Sequence, residues 1–120
     1  MSATSRRKGN RAEVAVVNAL KARGVDAMTT RNARGGSQQG DDVISDLPVS
    51  LEVKDCKRTE LAQWLDQARS QADDCHGAVV HKRSRKADAG EWFLTMAVGD
   101  FVELVRWLEC RPLDDWEVPF

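Results

Sequence analysis

The chain has 120 residues, a length that suits one domain with one hydrophobic core, so we expect one functional site. Apolar residues make up 42% and charged residues 31%, and no apolar run reaches the roughly 18 residues of a membrane span, which excludes a transmembrane helix. The formal net charge of -1 excludes a uniformly basic surface, so any contact with nucleic acid must come from a local basic region.

The first predicted elements are a helix, a short strand and a glycine-rich loop. Residues 10–22 carry apolar side chains at helical spacing among good helix formers, and Gly24 is a typical stop. Residues 25–31 have the pattern of a short strand. The loop 34–40 holds three glycines and no apolar anchor, a composition that lets backbone approach a ligand closely.

A strand hairpin and a second helix follow. Residues 42–46 are predicted to form a strand and residues 47–48 a turn. In residues 49–55 apolar and polar side chains alternate, which is typical of a strand with two different faces. Residues 59–72 place apolar side chains at helical spacing, with Thr59 as a candidate N-cap.

The remaining elements complete an α/β fold. Residues 77–81 and 92–96 are two short strands joined by the basic segment 82–86, and residues 100–109 form a last helix. The order helix, three strands, helix, two strands, helix predicts one domain with a mixed central sheet of about five strands flanked by helices.

The cysteines and the chain ends bear on the compartment. Cys56, Cys75 and Cys110 are an odd set without CxxC spacing, which favours reduced structural thiols over disulfides or a zinc knuckle. Residues 1–8, expected to form a flexible basic arm, are not followed by a hydrophobic segment, so no signal peptide is indicated. We therefore expect a cytoplasmic protein, with residues 110–120 as a C-terminal tail.

Positive charge is concentrated in two places. Residues 1–36 hold eight lysine and arginine residues against two acidic residues, whereas residues 88–120 hold two against eight. A second basic run lies at residues 82–86. Such runs are more often solvated surface than a binding face, so on their own they indicate nucleic-acid binding only weakly.

The residues best suited to chemistry lie in the predicted hairpin. Glu52 and Lys54 are two residues apart on a strand, so both point to one face. Asp42 begins the neighbouring strand, and pairing around the turn would bring its carboxylate towards that of Glu52. A hard divalent cation such as Mg2+ relieves the repulsion between two carboxylates, polarises a scissile phosphate and acidifies water. Lys54 would position the attacking hydroxide.

Glu13 is a third acid, on the first predicted helix. It lies three and four residues before Val16 and Val17, and therefore on the apolar face that packs on the sheet. The helix dipole favours an acid in the first turn, which is one explanation, and contact with a metal is the other. Glu52 and Lys54 alone are a weak signal, since this spacing on an exposed strand usually gives a solvated ion pair.

Longer segments around these residues match a known family. They are Lys8-Gly9-Asn10-Arg11-Ala12-Glu13, Gly40-Asp41-Asp42-Val43, Leu51-Glu52-Val53-Lys54, Trp64-Leu65-Asp66-Gln67-Ala68 and Val79-Val80-His81-Lys82-Arg83. Across about residues 7–109 the chain resembles the PD-(D/E)XK nuclease superfamily, and within it the small Holliday-junction-resolvase-like nucleases common in bacteriophage.

The resemblance implies a restriction-endonuclease-like core, a magnesium ion that manganese can replace, and a homodimer on branched DNA. It makes Asp42 and Glu52 the metal ligands and Lys54 the activating amine. It also makes Glu13 a helix-borne acid at the metal, and Gln67 an accessory polar group of the catalytic site.

Two of these assignments stay open. The residue before the acid is Asp41, where the family often has proline, so either Asp41 or Asp42 can be the ligand. The apolar pair Val43-Ile44 directly after Asp42 favours Asp42. Gln67 is equally well explained as an ordinary polar residue on a half-exposed helix.

Several other residues have simpler structural explanations. His76 beside Cys75 and His81 at a basic strand end are poor zinc candidates, although His81 suits a phosphate contact. The helical segment 101–108 is apolar over a wide arc, which suits a subunit contact. Four tryptophans are more typical of core or subunit contacts than of base stacking, namely Trp64, Trp92, Trp107 and Trp116.

The expected function is a Mg2+-dependent, structure-selective DNA endonuclease, most simply a Holliday junction resolvase that acts as a dimer without a membrane or a small-molecule cofactor. Phosphate contacts are expected from the two basic regions and the glycine-rich loop, namely Arg6, Arg7, Lys8, Arg11, Arg31, Arg34, Ser37, Lys82, Arg83, Arg85 and Lys86. Substrate shape is not encoded in these motifs, so a nuclease for nicked, flapped or plain duplex DNA is an alternative. A catalytically silent DNA-binding module of the same fold is another, which the intact acids and lysine disfavour.

Overall fold

A mixed sheet flanked by helices forms the part of the chain that the computed structural model describes, residues 3–30, 42–72 and 76–109. In chain order the elements are α1 (Ala3–Ala22), β1 (Ala27–Thr29), β2 (Val43–Ser45), β3 (Val49–Lys54), α2 (Leu61–Gln71), β4 (His76–His81), a 3-10 helix (Ala89–Glu91), β5 (Phe93–Thr95) and α3 (Val98–Glu109). This is the predicted α/β class with the predicted order of elements. It is consistent with a restriction-endonuclease-like architecture.

The five strands lie side by side in sequence order, from β1 to β5. The pairs β1–β2 and β2–β3 are antiparallel, β3 and β4 are parallel, and β5 returns antiparallel to β4. The predicted hairpin is confirmed, since Val43 of β2 pairs with Leu51 of β3. The carboxyl ends of β3 and β4 and the amino end of β2 therefore meet at one edge of the sheet, which we call the carboxyl edge.

Side chains of β3 and β4 alternate between two covered faces. The core on the α1 face includes Ala12, Val16, Val17, Leu51, Val53, Ala78 and Val80. On the opposite face Val79 is fully buried against Trp64 and Ala68 of α2. Glu52 and Lys54 share this second face, as their spacing predicted, because each alternates with Leu51 and Val53.

Helix α1 begins earlier than the sequence suggested. The prediction placed its start at residue 10 and residues 3–8 in a flexible arm, whereas these residues form the first turns of α1. The segment contains no proline and consists mainly of residues that helices accept. Gly9 costs only about 1 kcal/mol relative to alanine, which is too little to end a helix of this length.

The end of α1 determines where β1 can begin. Gly24 adopts a left-handed backbone with φ 83, which glycine accepts without strain. The N–H groups of Val25 and Gly24 donate to the carbonyls of Leu20 and Lys21, both at 3.0 Å, which is a Schellman motif. Since the N–H of Val25 is used there, the strand predicted from residue 25 begins only at Ala27.

Helix α2 lies very close to β4 because position 77 is glycine. A Cβ atom built on Gly77 would lie 2.8 Å from Arg69 Cα and closer still to the carbonyl group of Ala68.

The helix starts at Leu61 after Glu60, and no side chain caps it. The predicted N-cap, Thr59, is wrong because it lies one residue too early.

The last elements differ from prediction at their ends. The strand predicted from residue 92 begins at Phe93, because the Trp92 N–H closes the preceding 3-10 turn on the Ala89 carbonyl at 3.1 Å. Helix α3 begins at Val98 instead of residue 100, and none of its side chains is fully buried. Of the helices in the described ranges, none combines the length and apolarity needed to cross a membrane.

Candidate metal and nucleic-acid site

The register of β2 and β3 brings Asp42 and Glu52 together. Val43 pairs with Leu51, and directly before it the Asp42 N–H donates to the Leu51 carbonyl at 3.0 Å, which places Asp42 beside β3 at the carboxyl edge. The Val53 N–H donates to Asp42 Oδ2 at 2.8 Å, which holds the Asp42 carboxylate beside β3. The alternative ligand, Asp41, lies outside the described residues.

Glu52 is a buried acid, with a side chain only 6% exposed. Its burial is the main reason why the pKa of Glu52 rises from 4.5 to about 7. The Asp42 carboxylate acts in the same direction and Glu13 adds a smaller effect, whereas Lys54 lowers the pKa. Two further carboxylates are thus near enough to destabilise the charged form of Glu52.

Lys54 lies between the acid cluster and helix α2. Its Nζ is 3.7 Å from Glu52 Oε1 and donates to Gln67 Oε1 at 3.4 Å. The Lys54 side chain is 22% exposed, so its amine reaches the edge of the cluster from a partly enclosed position. The structure therefore brings Gln67, named from sequence as an accessory polar group of the catalytic site, to the Lys54 amine.

Glu13 approaches the cluster from the opposite helix. It is half-buried on α1, one turn before the buried residues Val16 and Val17. Its effect on the pKa of Glu52 is the smallest of those that raise it. Glu13 therefore contributes less than Asp42 to the raised pKa of Glu52.

The donor set of this cluster suits a hard divalent cation. Asp42, Glu52 and Glu13 offer carboxylate oxygen atoms only, which Mg2+ prefers over nitrogen and sulfur. The raised pKa shows that ionising Glu52 costs free energy in this environment. A divalent cation beside the carboxylate would favour the charged form instead. The residues at the carboxyl edge therefore fit a Mg2+ site.

The raised pKa of Glu52 predicts how the metal-free protein responds to pH. An unfolded chain ionises this acid near pH 4.5 and the folded chain near pH 7, so ionisation opposes folding increasingly between these values and fully above them. In EDTA, Glu52→Gln should unfold at nearly the same urea concentration as the wild type near pH 4.5. At pH 8 it should be more stable by up to roughly 3 kcal/mol. An equal difference at both pH values would contradict this origin of the shift.

The two basic regions of the sequence meet at the same edge of the sheet. Asp55, with a side chain 12% exposed, forms an ion pair with Lys8 of α1 through one oxygen and with Lys82 after β4 through the other, both at 3.7 Å. Two adjoining depressions open around this acid. We call their basic lining the cationic groove; it consists of Lys8, Arg11, Lys57, Lys82, Arg85 and Lys86.

The cationic groove contains most of the described residues predicted to contact DNA. Lys57 was missed, although it follows β3 closely in sequence. Arg83 lies apart, with its guanidinium 5.6 Å from the centre of the Phe93 ring. Arg7 is exposed on α1. Arg31, Arg34, Ser37 and the side chain of Arg6 lie outside the described part of the chain.

Sequence reasoning also missed a cluster at the other edge of the sheet. His76, Asp100 and Glu103 present possible ligand atoms within 4.8 Å of one another. The His76 ring nitrogens are each 3.5 Å from one of the two carboxylates, and Arg69 Nε is 3.1 Å from Asp100. Arg69 already offsets the acids, so ion pairing that attaches α3 to β4 and α2 explains the cluster. The signal for this cluster in the sequence was the spacing of Asp100 and Glu103, which are three residues apart and therefore on one face of α3.

The other candidates have structural roles. Trp64 is buried, and Trp92 is half-buried with its Nε1 donating to the Lys86 carbonyl at 2.7 Å. Trp107 is 49% exposed on α3. The His81 ring is 3.0 Å from Thr95 Oγ1, and burial lowers its pKa, which disfavours the charged form. Cys56 is an exposed free thiol, not a buried one, while Cys75, Cys110 and Trp116 fall outside the described ranges.

Comparison with protein-family models, with curated proteins and with solved structures finds no match to this chain.

Proposed function

We propose that this protein is a Mg2+-dependent DNA endonuclease of the PD-(D/E)XK type. The observation that carries the proposal is the position of Lys54 beside the buried acid Glu52, with Asp42 directly before the facing strand and bonded to β3. A solvated ion pair, the simpler explanation of this spacing, would leave Glu52 exposed, yet its side chain is 6% exposed. A buried acid with other acids nearby and an amine alongside is typical of a site for charged chemistry.

Each residue of the cluster has a defined task in phosphodiester hydrolysis. Asp42 and Glu52, with Glu13 directly or through water, would hold Mg2+, which when bound polarises the scissile phosphate and acidifies water. Lys54 orients the attacking hydroxide and offsets the negative charge that develops on the phosphorane. Gln67 limits the positions that the Lys54 amine can adopt.

The cationic groove supplies the electrostatic attraction for DNA. Among the described residues that line it are six lysine and arginine side chains and the acid Asp55, which keeps Lys8 and Lys82 at fixed positions. Such a surface binds the sugar-phosphate backbone independently of base sequence. A backbone held there passes the carboxyl edge of β3, which carries Glu52 and Lys54.

A homodimer in the cytoplasm completes the proposal, as two sites would cut two strands of a junction. Helix α3 supports the dimer because it exposes large apolar side chains, Val98, Phe101, Val102 and Trp107, the first of them 80% exposed. An apolar patch of this kind is a natural isologous contact.

The proposal is tested with labelled four-way junctions and linear duplexes of matched arm sequence, each with Mg2+, Mn2+ or EDTA. We expect symmetric cuts in the junction with either metal, little cutting of the duplex, and none in EDTA. Light scattering should give the mass of a dimer.

Two other outcomes would change the conclusion. Binding of DNA without any metal-dependent product would indicate a catalytically silent DNA-binding module. Equal cutting of the junction and the linear duplex would leave a nuclease but remove the resolvase assignment.

A further inference from the structure

Three side chains form a row across the sheet at the carboxyl edge. Lys54 of β3 is the register partner of His81 of β4, which in turn pairs with Phe93 of β5. Register partners point to the same face, here the face of α2. Adjacent strands are about 5 Å apart, so Phe93 lies roughly 10 Å from Lys54 along the row.

Phe93 belongs to a series of planar groups that runs from the core to solvent. The buried Trp64 ring is 5.9 Å from the His81 ring, which is 5.2 Å from the Phe93 ring. The His81 ring is fixed in turn by its 3.0 Å contact with Thr95 Oγ1. Phe93 is thus held from behind although 48% of the residue is exposed.

The outer side of this series is basic. The guanidinium of Arg83 lies 5.6 Å from the Phe93 ring centre. Lys82, directly before Arg83, and Arg85, two residues after it, line the cationic groove. An aromatic ring in a basic surface matches a nucleic acid, whose bases stack on the ring while its phosphates meet the cations.

We propose that Phe93 and Arg83 form a stacking site for an unpaired DNA base, a few nucleotides from the bond that is cut. This inference rests on the proposed nuclease function and specifies its substrate class. Bases in a continuous duplex are stacked on each other and cannot reach the ring without being extruded. The site therefore selects DNA with an unstacked base at a branch point over plain duplex.

The test compares Phe93→Ala with Leu94→Ala in the full chain. Leu94 is the next residue of the same strand, is 58% exposed and points to the opposite face. Binding is measured by fluorescence anisotropy in Ca2+, with a four-way junction that carries 2-aminopurine at the branch point and with a linear duplex of the same arms.

We expect Phe93→Ala to weaken junction binding roughly tenfold, in the range that stacking on one aromatic side chain provides, and to leave duplex binding unchanged. The 2-aminopurine signal should respond to the wild type and to Phe93→Trp, but not to Phe93→Ala. Leu94→Ala should behave like the wild type in each assay.

Three results would overturn the stacking site. Phe93→Ala could bind the junction with unchanged affinity, or it could lose equal affinity for the junction and the duplex. A loss of affinity accompanied by a change in oligomer mass would make Phe93 a subunit contact. Metal-dependent cleavage is scored separately on the same DNAs. Cleavage with no effect of Phe93→Ala refutes the stacking site alone, whereas selective loss of binding without any cleavage refutes the nuclease alone.

Discussion

Replacing Glu52 by glutamine is expected to lower Mg2+-dependent DNA cleavage by at least about a thousand-fold, since several kcal/mol of transition-state stabilisation depend on the metal and each 1.36 kcal/mol corresponds to a factor of ten. The neutral amide has nearly the same shape, so the buried environment of Glu52 stays filled. DNA binding in Ca2+ should be retained because the cationic groove is untouched. The measurements are single-turnover cleavage of a four-way junction and its affinity by anisotropy.

The matched control is Glu60→Gln. Glu60 is exposed directly before α2, and its side chain makes a long contact of 3.9 Å with Arg58. This variant should cleave at the wild-type rate. Cleavage at a normal rate by Glu52→Gln would show that Glu52 is not a metal ligand, and loss of DNA binding in the same variant would indicate a folding defect instead.

Replacing Lys54 by methionine should reduce kcat roughly 100- to 1000-fold, the range found when one group that stabilises developing charge is removed. Methionine keeps most of the length and apolar stem of lysine but lacks the amine that lies 3.7 Å from Glu52. The affinity for DNA in Ca2+ should change little, because Lys54 contacts Glu52 and Gln67 and does not line the cationic groove.

Lys21→Met serves as the control for the loss of a lysine, since Lys21 is exposed in the last turn of α1. The decisive comparison is between kcat at saturating DNA and the Kd in Ca2+. A rise in Kd with unchanged kcat would identify Lys54 as a phosphate contact, contrary to the role proposed for it.

Much of the fold could be predicted because its signals are local. The alternation in β3 gave the strand to within one residue of its C-terminal end, and the spacing in α2 predicted the buried side of that helix. Element ends were less predictable. They depend on individual hydrogen bonds, such as that of the Val25 N–H with Leu20, which the pattern of apolar residues does not encode.

The site was predictable where one strand or one hairpin sets the geometry. The spacing of Glu52 and Lys54 places them on one face, and the hairpin brings Asp42 near Glu52. The burial of Glu52 was not predictable, because it arises when α2 covers the sheet. Contacts between distant segments were missed for the same reason, as with Lys8 and Lys82 on Asp55.

Position 77 links the packing of the sheet to the chemistry proposed at its edge. Because Gly77 has no side chain, α2 packs directly on β4. This short distance between the helix and the sheet brings Gln67 within hydrogen-bond reach of Lys54. A methyl group there would lift the helix and withdraw the amide from the amine, although every reacting side chain remained in place. Substitutions at this glycine are therefore limited by the spacing of the reacting groups as well as by the stability of the domain.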